Sequence, residues 1–286
     1  LENNGKGTPV CKTGMSWAGM RPSDDKMKYH YNIPGQLFAA KALEYIEEMS
    51  SLWSDDVLKQ KASKLRREII KGVEKYGVVD GVLAYETDGC GHHLMADDAN
   101  IPSLLSLPYL DIHRPEYEKT RLNILSDRNP WWSKGGIGSP HTNGRGHPWH
   151  LAMIMEGWDD KSTLERVLKT AYGGSLHESV TMSGGSTRKW FGWANALFSE
   201  WLMSQARTAE LSVITVTSPR PSHPDITIIN QTLHAMYYHN PTWIKYPHYV
   251  LMDGCPKEKK YWEHKWCTGY NDFVFRLKRE IDSRSY

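Results

Sequence analysis

Two helix-forming runs separated by only a few residues restrict the fold of this chain more than any other feature. Residues 35–50, "GQLFAAKALEYIEEMS", place Leu37, Phe38, Ala42, Tyr45, Ile46 and Met49 at helical spacing, which gives one apolar face. A second run extends from about Asp55 to Tyr76; Ser54 or Asp55 can cap its start and Gly77 closes its end. After a connection that short the chain turns back on itself, so the two form a helix pair. Shorter helical patterns follow at 115–126, 148–157, 161–172 and 187–204, after the loop-rich stretch "YETDGCGHHLMADDANIPS". Up to Gln205 the chain therefore reads as helix pairs joined by loops rich in Gly, Pro, His and Asp, the kind of segment on which function collects.

Beyond Gln205 the pattern changes. "SVITVTSPRPSHPD" is a β-branched run ending in a Pro-rich turn, "ITIINQTLHAMYYH" reads as a helix, and "HYVLMDG" reads as a strand closing on Asp253. That order is β-α-β, foreign to the helical part before it. A boundary is expected near Ala206, dividing the chain into a mainly α segment, 1–205, and a small α/β tail, 206–286, with a last helix over 270–281 packed on the tail's sheet.

Composition narrows the partners. With 35 basic and 33 acidic residues there is no electrostatic case for nucleic acid or an anionic membrane surface. No apolar run approaches the length of a membrane span, and the compartment is left open. Twelve Trp and 15 Tyr against 5 Phe give large rings with a polar handle, which suit stacking on sugars and the filling of helical cores equally well. Cys11, Cys90, Cys255 and Cys267 are widely spaced with no CxxC pair, so neither a zinc site nor a disulfide framework is expected.

The loops of the first segment carry three acidic clusters: Asp24/Asp25 in "RPSDD", Asp97/Asp98 in "MADDANIPS" and Glu178 in "LHES". Each taken alone is at home on a surface, the first as a helix-capping turn and Glu178 as half of an ion pair at a helix entrance. Together they meet the requirement of glycoside hydrolysis for two carboxyl groups, one to protonate the leaving oxygen and one to activate water or attack carbon.

The motifs "GTPVCKTGMSWAGMRPSDDKMKYHYNIPGQLFAAKAL", "YETDGCGHHLMADDANIPSLLSLPYL", "GIGSPHT", "LHES" and "TRKWFGWANALFSE" occur in this order. Together they resemble glycoside hydrolase family 125, the exo-α-1,6-mannosidases, over residues 7 to about 204. The resemblance implies an (α/α)6 barrel, of which this segment matches the C-terminal half and so leaves apolar helix faces uncovered. It also implies a loop-built pocket, removal of a terminal α-1,6-linked mannose from an oligosaccharide or N-glycan with inversion, no cofactor and no metal. A monomer is expected.

Carried over by the same resemblance, Asp24 is the general acid and Glu178 the general base. Asp24 would have to hold its proton at working pH, which an ionised Asp25 and partial burial would favour. Arg21 is a positioning residue or a structural ion pair. Asp97, Asp98 and Asn100 resemble a substrate-facing loop, with helix capping before "IPSLLSL" the other role open to them, Asp98 above all. His141 and Thr142 are sugar contacts by resemblance, although a lone loop His is as readily just exposed. Trp190 and Trp193, three apart on the expected last helix, would share one face and pack in the core. The tail faintly resembles the opening strands of nucleotide-sugar glycosyltransferases, where Asp253 would stand at a strand end. "NQT" at 230–232 is a formal glycosylation acceptor inside the tail's expected helix.

Overall fold

A computed structural model describes residues 3–158, 162–181, 183–206, 213–217 and 248–252. Two compact units divide it: one comprises Leu1–Leu164 with Ser179–Gly185, and the other Glu165–Glu178 with the described residues from Ser186 on. The boundary expected near Ala206 falls inside the second unit.

The first unit is organised on the helix pair. Helix α1 (Ile33–Leu52) follows a short strand, β1 (Tyr31–Asn32), and α2 (Asp56–Tyr76) packs beside it. Both starts are capped: Asn32 Oδ1 accepts from Gly35 N at 2.9 Å, with Pro34 in the first turn, and Asp55 Oδ1 accepts from Leu58 N at 2.9 Å. Gly77 ends α2 by donating to Val73 O at 2.7 Å. Ile33, Leu37, Ile69 and Val73 are buried. The pair also exposes Phe38, Tyr45, Met49 and Leu52 on α1 and Leu58 and Leu65 on α2. Gly72 lets the N-terminal segment cross α2 closely, since a Cβ there would lie 2.7 Å from Met15 Cγ and 2.9 Å from Thr13 O.

Small sheets tie the loops down. Strands β2 (Val78–Val79) and β3 (Val82–Leu83) form a hairpin over Asp80 and Gly81, both at positive φ (51° and 75°), as an Asp-Gly turn of the primed type requires. Strand β4 (Glu86–Thr87) lies between β1 and β5 (His93–Leu94), antiparallel to both, with Asn32 opposite Glu86 and Glu86 opposite Leu94. Helix α3 (Tyr117–Ile124) follows, then the hairpin β6 (Trp132–Ser133) and β7 (Gly136–Ile137). Helix α4 (His150–Glu156) is apolar on all sides and has Leu151, Ala152, Met153, Ile154 and Met155 all buried. The short strand β8 (Ser179–Val180) joins this unit by bridging Trp149.

One covalent link corrects the cysteine reading: Cys11 and Cys90 form a disulfide, with Cα atoms 5.2 Å apart across 79 positions. Spacing along the chain could not show it, because the N-terminal segment is brought to the β4–β5 turn by tertiary contacts, among them Cys11 N donating to Asp88 O at 2.9 Å.

The second unit contains α5 (Ser162–Thr170), which enters it at Glu165, the strand β9 (Ser186–Thr187) and α6 (Gly192–Ala206). Ala194, Leu197, Phe198 and Trp201 form the buried stripe of α6 at positions i, i+3, i+4 and i+7. Strands β10 (Val213–Thr217) and β11 (His248–Met252) run parallel, with Val213 opposite His248 and Thr217 opposite Met252. The expected helices over 226–239 and 270–281, Asp253, Asn230, Cys255 and Cys267 lie outside the described residues.

Candidate active site

The "RPSDD" segment is a tight turn. Arg21 N donates to Asp25 O at 2.8 Å, Asp24 N donates to Arg21 O at 3.0 Å, and Met20 bridges Lys26. Asp24 occupies its apex at φ 65°, a left-handed conformation that Asp adopts more readily than most residues. Its side chain is exposed, so the partial burial expected for it is not found: the turn's own geometry lifts the apex away from the core.

Beneath the apex Arg21 is buried, with Nε 2.6 Å from Glu86 Oε1 and its guanidinium 4.9 Å from the Trp131 ring centre. Burial works against its charge, but the hydrogen bond and charge of Glu86 outweigh it and raise the Arg21 pKa. Glu86, fully buried on β4, also accepts from Lys28 N and Tyr29 N at 2.9 and 3.0 Å through Oε2. A side chain that no sequence pattern marks thus fastens the turn at three points. Of the two roles open to Arg21, the geometry contains the ion pair.

The "DDAN" loop is buried and its carboxyls have separate partners. Both oxygens of Asp97 accept backbone N–H groups, Leu104 at 2.8 Å and Leu105 at 2.9 Å, so Asp97, and not Asp98, caps the segment that follows. Asp98 Oδ1 accepts from Asn100 N and Nδ2 at 3.3 and 3.1 Å, and its Oδ2 lies 2.8 Å from Ser23 Oγ. Burial pushes the Asp97 pKa up to about 8, against the two amide bonds, and raises that of Asp98 as well, against hydrogen bonds from Asn100, Ser23 and Ser139. The phenol of Tyr85, fully buried beside them with its oxygen unpartnered among the described residues, is pushed well above its ordinary range by burial and by the charges of Asp98 and Asp97.

Ser139 connects the third loop to the same cluster. Its Oγ accepts from His141 N at 3.3 Å and bonds the Asp98 side chain. Thr142 is buried, and its Oγ1 accepts from Trp149 Nε1 at 2.6 Å; His141 is exposed, edge-on to the Trp149 ring at 6.4 Å. The first unit therefore gathers Ser23, Asp98, Asn100 and Ser139 into one hydrogen-bonded group, with the Glu86-paired guanidinium of Arg21 close enough for the Asp98 charge to act on it. A separate cleft of about 200 Å³ in this unit, lined by Leu105, Tyr109, Tyr117, Arg121 and Trp158 among others, contains none of the predicted site residues.

Glu178 belongs to the second unit. Its buried carboxylate has Oε1 3.4 Å from Arg188 Nη1, and Oε2 accepts from Thr187 Oγ1 at 3.2 Å. Next to it, His177 Nδ1 accepts from Trp190 N at 3.1 Å, which leaves Nε2–H to donate to Tyr172 O at 2.8 Å. Asn195 on α6 clamps this segment: its Oδ1 accepts from Leu176 N at 3.1 Å, and its Nδ2 donates to Leu176 O at 2.9 Å. The expectation for the two tryptophans is corrected here. Trp190 has φ 57° and precedes α6, which begins at Gly192, so the rings share no helix face; Trp193 is 42% exposed, and Trp201 is the buried indole of this helix.

Residues 1–203 match the family model described as metal-independent α-mannosidase, GH125. The meiotically up-regulated gene 157 protein of Schizosaccharomyces pombe is 38% identical over 222 residues, which is 70% of this chain and 43% of that protein. A solved α-mannosidase of Streptococcus pneumoniae, in a non-productive substrate complex with α-1,6-mannobiose, superposes with a TM-score of 0.67 at 32% identity, over 71% of this chain and 53% of its own. The chain thus spans about half the length of each of these relatives. With 203 of its 286 residues inside the family model, this chain belongs to glycoside hydrolase family 125.

Proposed function

We propose that this chain carries the catalytic segment of an inverting exo-α-1,6-mannosidase that releases terminal mannose from α-mannosides, N-glycans included. On this reading 1–205 is part of an (α/α)6 barrel, and the α/β tail, 206–286, is a separate module. The reading is supported above all by the likeness to the Streptococcus pneumoniae α-mannosidase complexed with α-1,6-mannobiose. Asp24 protonates the leaving oxygen and Glu178 draws a proton from the attacking water, the division of roles in an inverting mechanism. Arg188 and Thr187 hold the Glu178 carboxylate in a fixed orientation, as a general base requires. Asp98, Asn100, His141 and Thr142 contribute sugar contacts, and Arg21 positions the acid's turn. Asp97, whose oxygens both serve backbone amides, shapes the loop.

The test is release of mannose from an α-1,6-linked mannobiose. Asp24→Asn and Glu178→Gln are each expected to lower kcat by at least about 10²-fold, and proton NMR of the fresh product should show the β-anomer first. Undiminished turnover by either variant removes that residue from its role, and initial α-anomer removes the inverting mechanism. Mannose binding by calorimetry with no hydrolysis by the wild-type chain would favour a carbohydrate-binding segment instead, a reading to which the exposure of Asp24 lends support.

A further inference from the structure

Ser23 stands between two carboxyl groups. Its Oγ is 3.1 Å from Asp25 Oδ2 and 2.8 Å from Asp98 Oδ2. A hydroxyl has one hydrogen, so Ser23 can donate fully to only one of these oxygens; if both are ionised, the other contact sets two acceptors against each other with no proton between them. The second proton has to come from a carboxyl.

Asp98 is the one placed to carry it. It is 1% exposed, next to the equally buried Asp97; the nearby guanidinium, Arg21, is engaged by Glu86. Two adjacent buried carboxyls without a cation of their own are costly when both are ionised. The two oxygens of Asp98 also differ: Oδ1 takes both Asn100 donors, and Oδ2 faces the hydroxyl. Burial favours a proton on Asp97 too, but both Asp97 oxygens take N–H donors and, among the described residues, face no acceptor, so the one proton that the coupled pair keeps is placed on Asp98, where the Ser23 oxygen can accept it. The charged and titratable groups around it are Asp97, Arg21, Asp25 and the neutral phenol of Tyr85, with Asn100 and Ser139 as neutral neighbours. Burial acts in the same direction, raising the pKa of Asp98.

We propose that Ser23 is a positioning residue: it receives a hydrogen bond from the protonated carboxyl of Asp98, passes one on to Asp25, and so locks the turn that presents Asp24. The location of the proton stands on the geometry alone, and its bearing on catalysis rests on the function proposed above.

Infrared spectroscopy of the full chain with ¹³C-labelled aspartate at pH 7 tests the first part. The wild type should show a protonated-carboxyl C=O band that disappears in Asp98→Asn and persists in Asp97→Asn and Asp25→Asn. The side-chain amide that Asp98→Asn introduces can donate to Ser23 and accept from Asn100, so that variant is expected to fold. Should it not, Ser23→Ala gives the same information: the band should move to higher frequency as the acid loses its acceptor. A band that survives Asp98→Asn, vanishes with Asp25→Asn, or does not move in Ser23→Ala overturns the assignment. Mannose release tests the second part. Ser23→Ala should lower kcat about tenfold or more, with KM changed by less than about twofold, and Ser23→Thr should recover most of the rate. An unchanged kcat in Ser23→Ala overturns the positioning role. Absence of turnover in the wild type would count against the proposed function and leave the infrared result standing.

Discussion

Glu86 shows at the residue scale how the turn at Arg21–Asp25 is held by a group far from it in sequence. It lies 65 positions from Arg21, and inside "YETDGC" it has neither the spacing nor the neighbours that mark a functional carboxylate. Asp24 and Glu178 are equally unmarked by composition or periodicity; the roles proposed for them come only from motifs that resemble a family. Glu86→Ala would leave Arg21 buried without its partner and should cost about 3–5 kcal/mol in urea unfolding, whereas Glu86→Gln keeps an acceptor and should cost about 1–2 kcal/mol. The Asp97–Asp98 pair supplies a pH dependence. Burial raises both carboxyls above their ordinary range and the two are coupled neighbours, so the folded pair holds a proton that the unfolded state has released. Its stabilising effect is complete below about pH 4 and is lost as the pH rises through about 8. Thermal unfolding should therefore show stability falling over that range, with a flatter profile in Asp98→Asn.

At the scale of elements, what is readable is what local chemistry specifies. The α1–α2 pair is legible because its starts carry capping side chains, its end a glycine, and its interior an apolar spacing that packing then uses. Asp55→Ala removes the acceptor of Leu58 N and should lower stability by about 1 kcal/mol, measurable as a drop in Tm. The pairing of β1 with β4 is not legible, since it joins segments far apart in sequence; the β2–β3 hairpin has a local signal in its Asp-Gly turn, and the β4–β5 pair another in the glycine-rich turn between its strands. The start of α6 differs from the expected one for a related reason. Arg188 and Trp190 have positive φ, a break that apolar periodicity does not register, and the segment at Leu176 and Glu178 occupies Arg188 O and Phe191 N, groups with which the chain would otherwise have continued the helix.

For the whole molecule the family is visible in ordered motifs, while the covalent framework is not. The Cys11–Cys90 disulfide encloses the helix pair and strands β1 to β4 in one ring, and the connection between α1 and α2 is an open point on that ring: Leu52 is 83% exposed and Trp53 67%. Exposed apolar residues in a short connection invite chymotrypsin. A cut there severs the backbone without releasing a fragment, because the bridge still joins the two ends. Digested chains should migrate at full length on a gel without reductant and separate into two pieces once dithiothreitol is added; two pieces under both conditions would mean that the bridge had not closed.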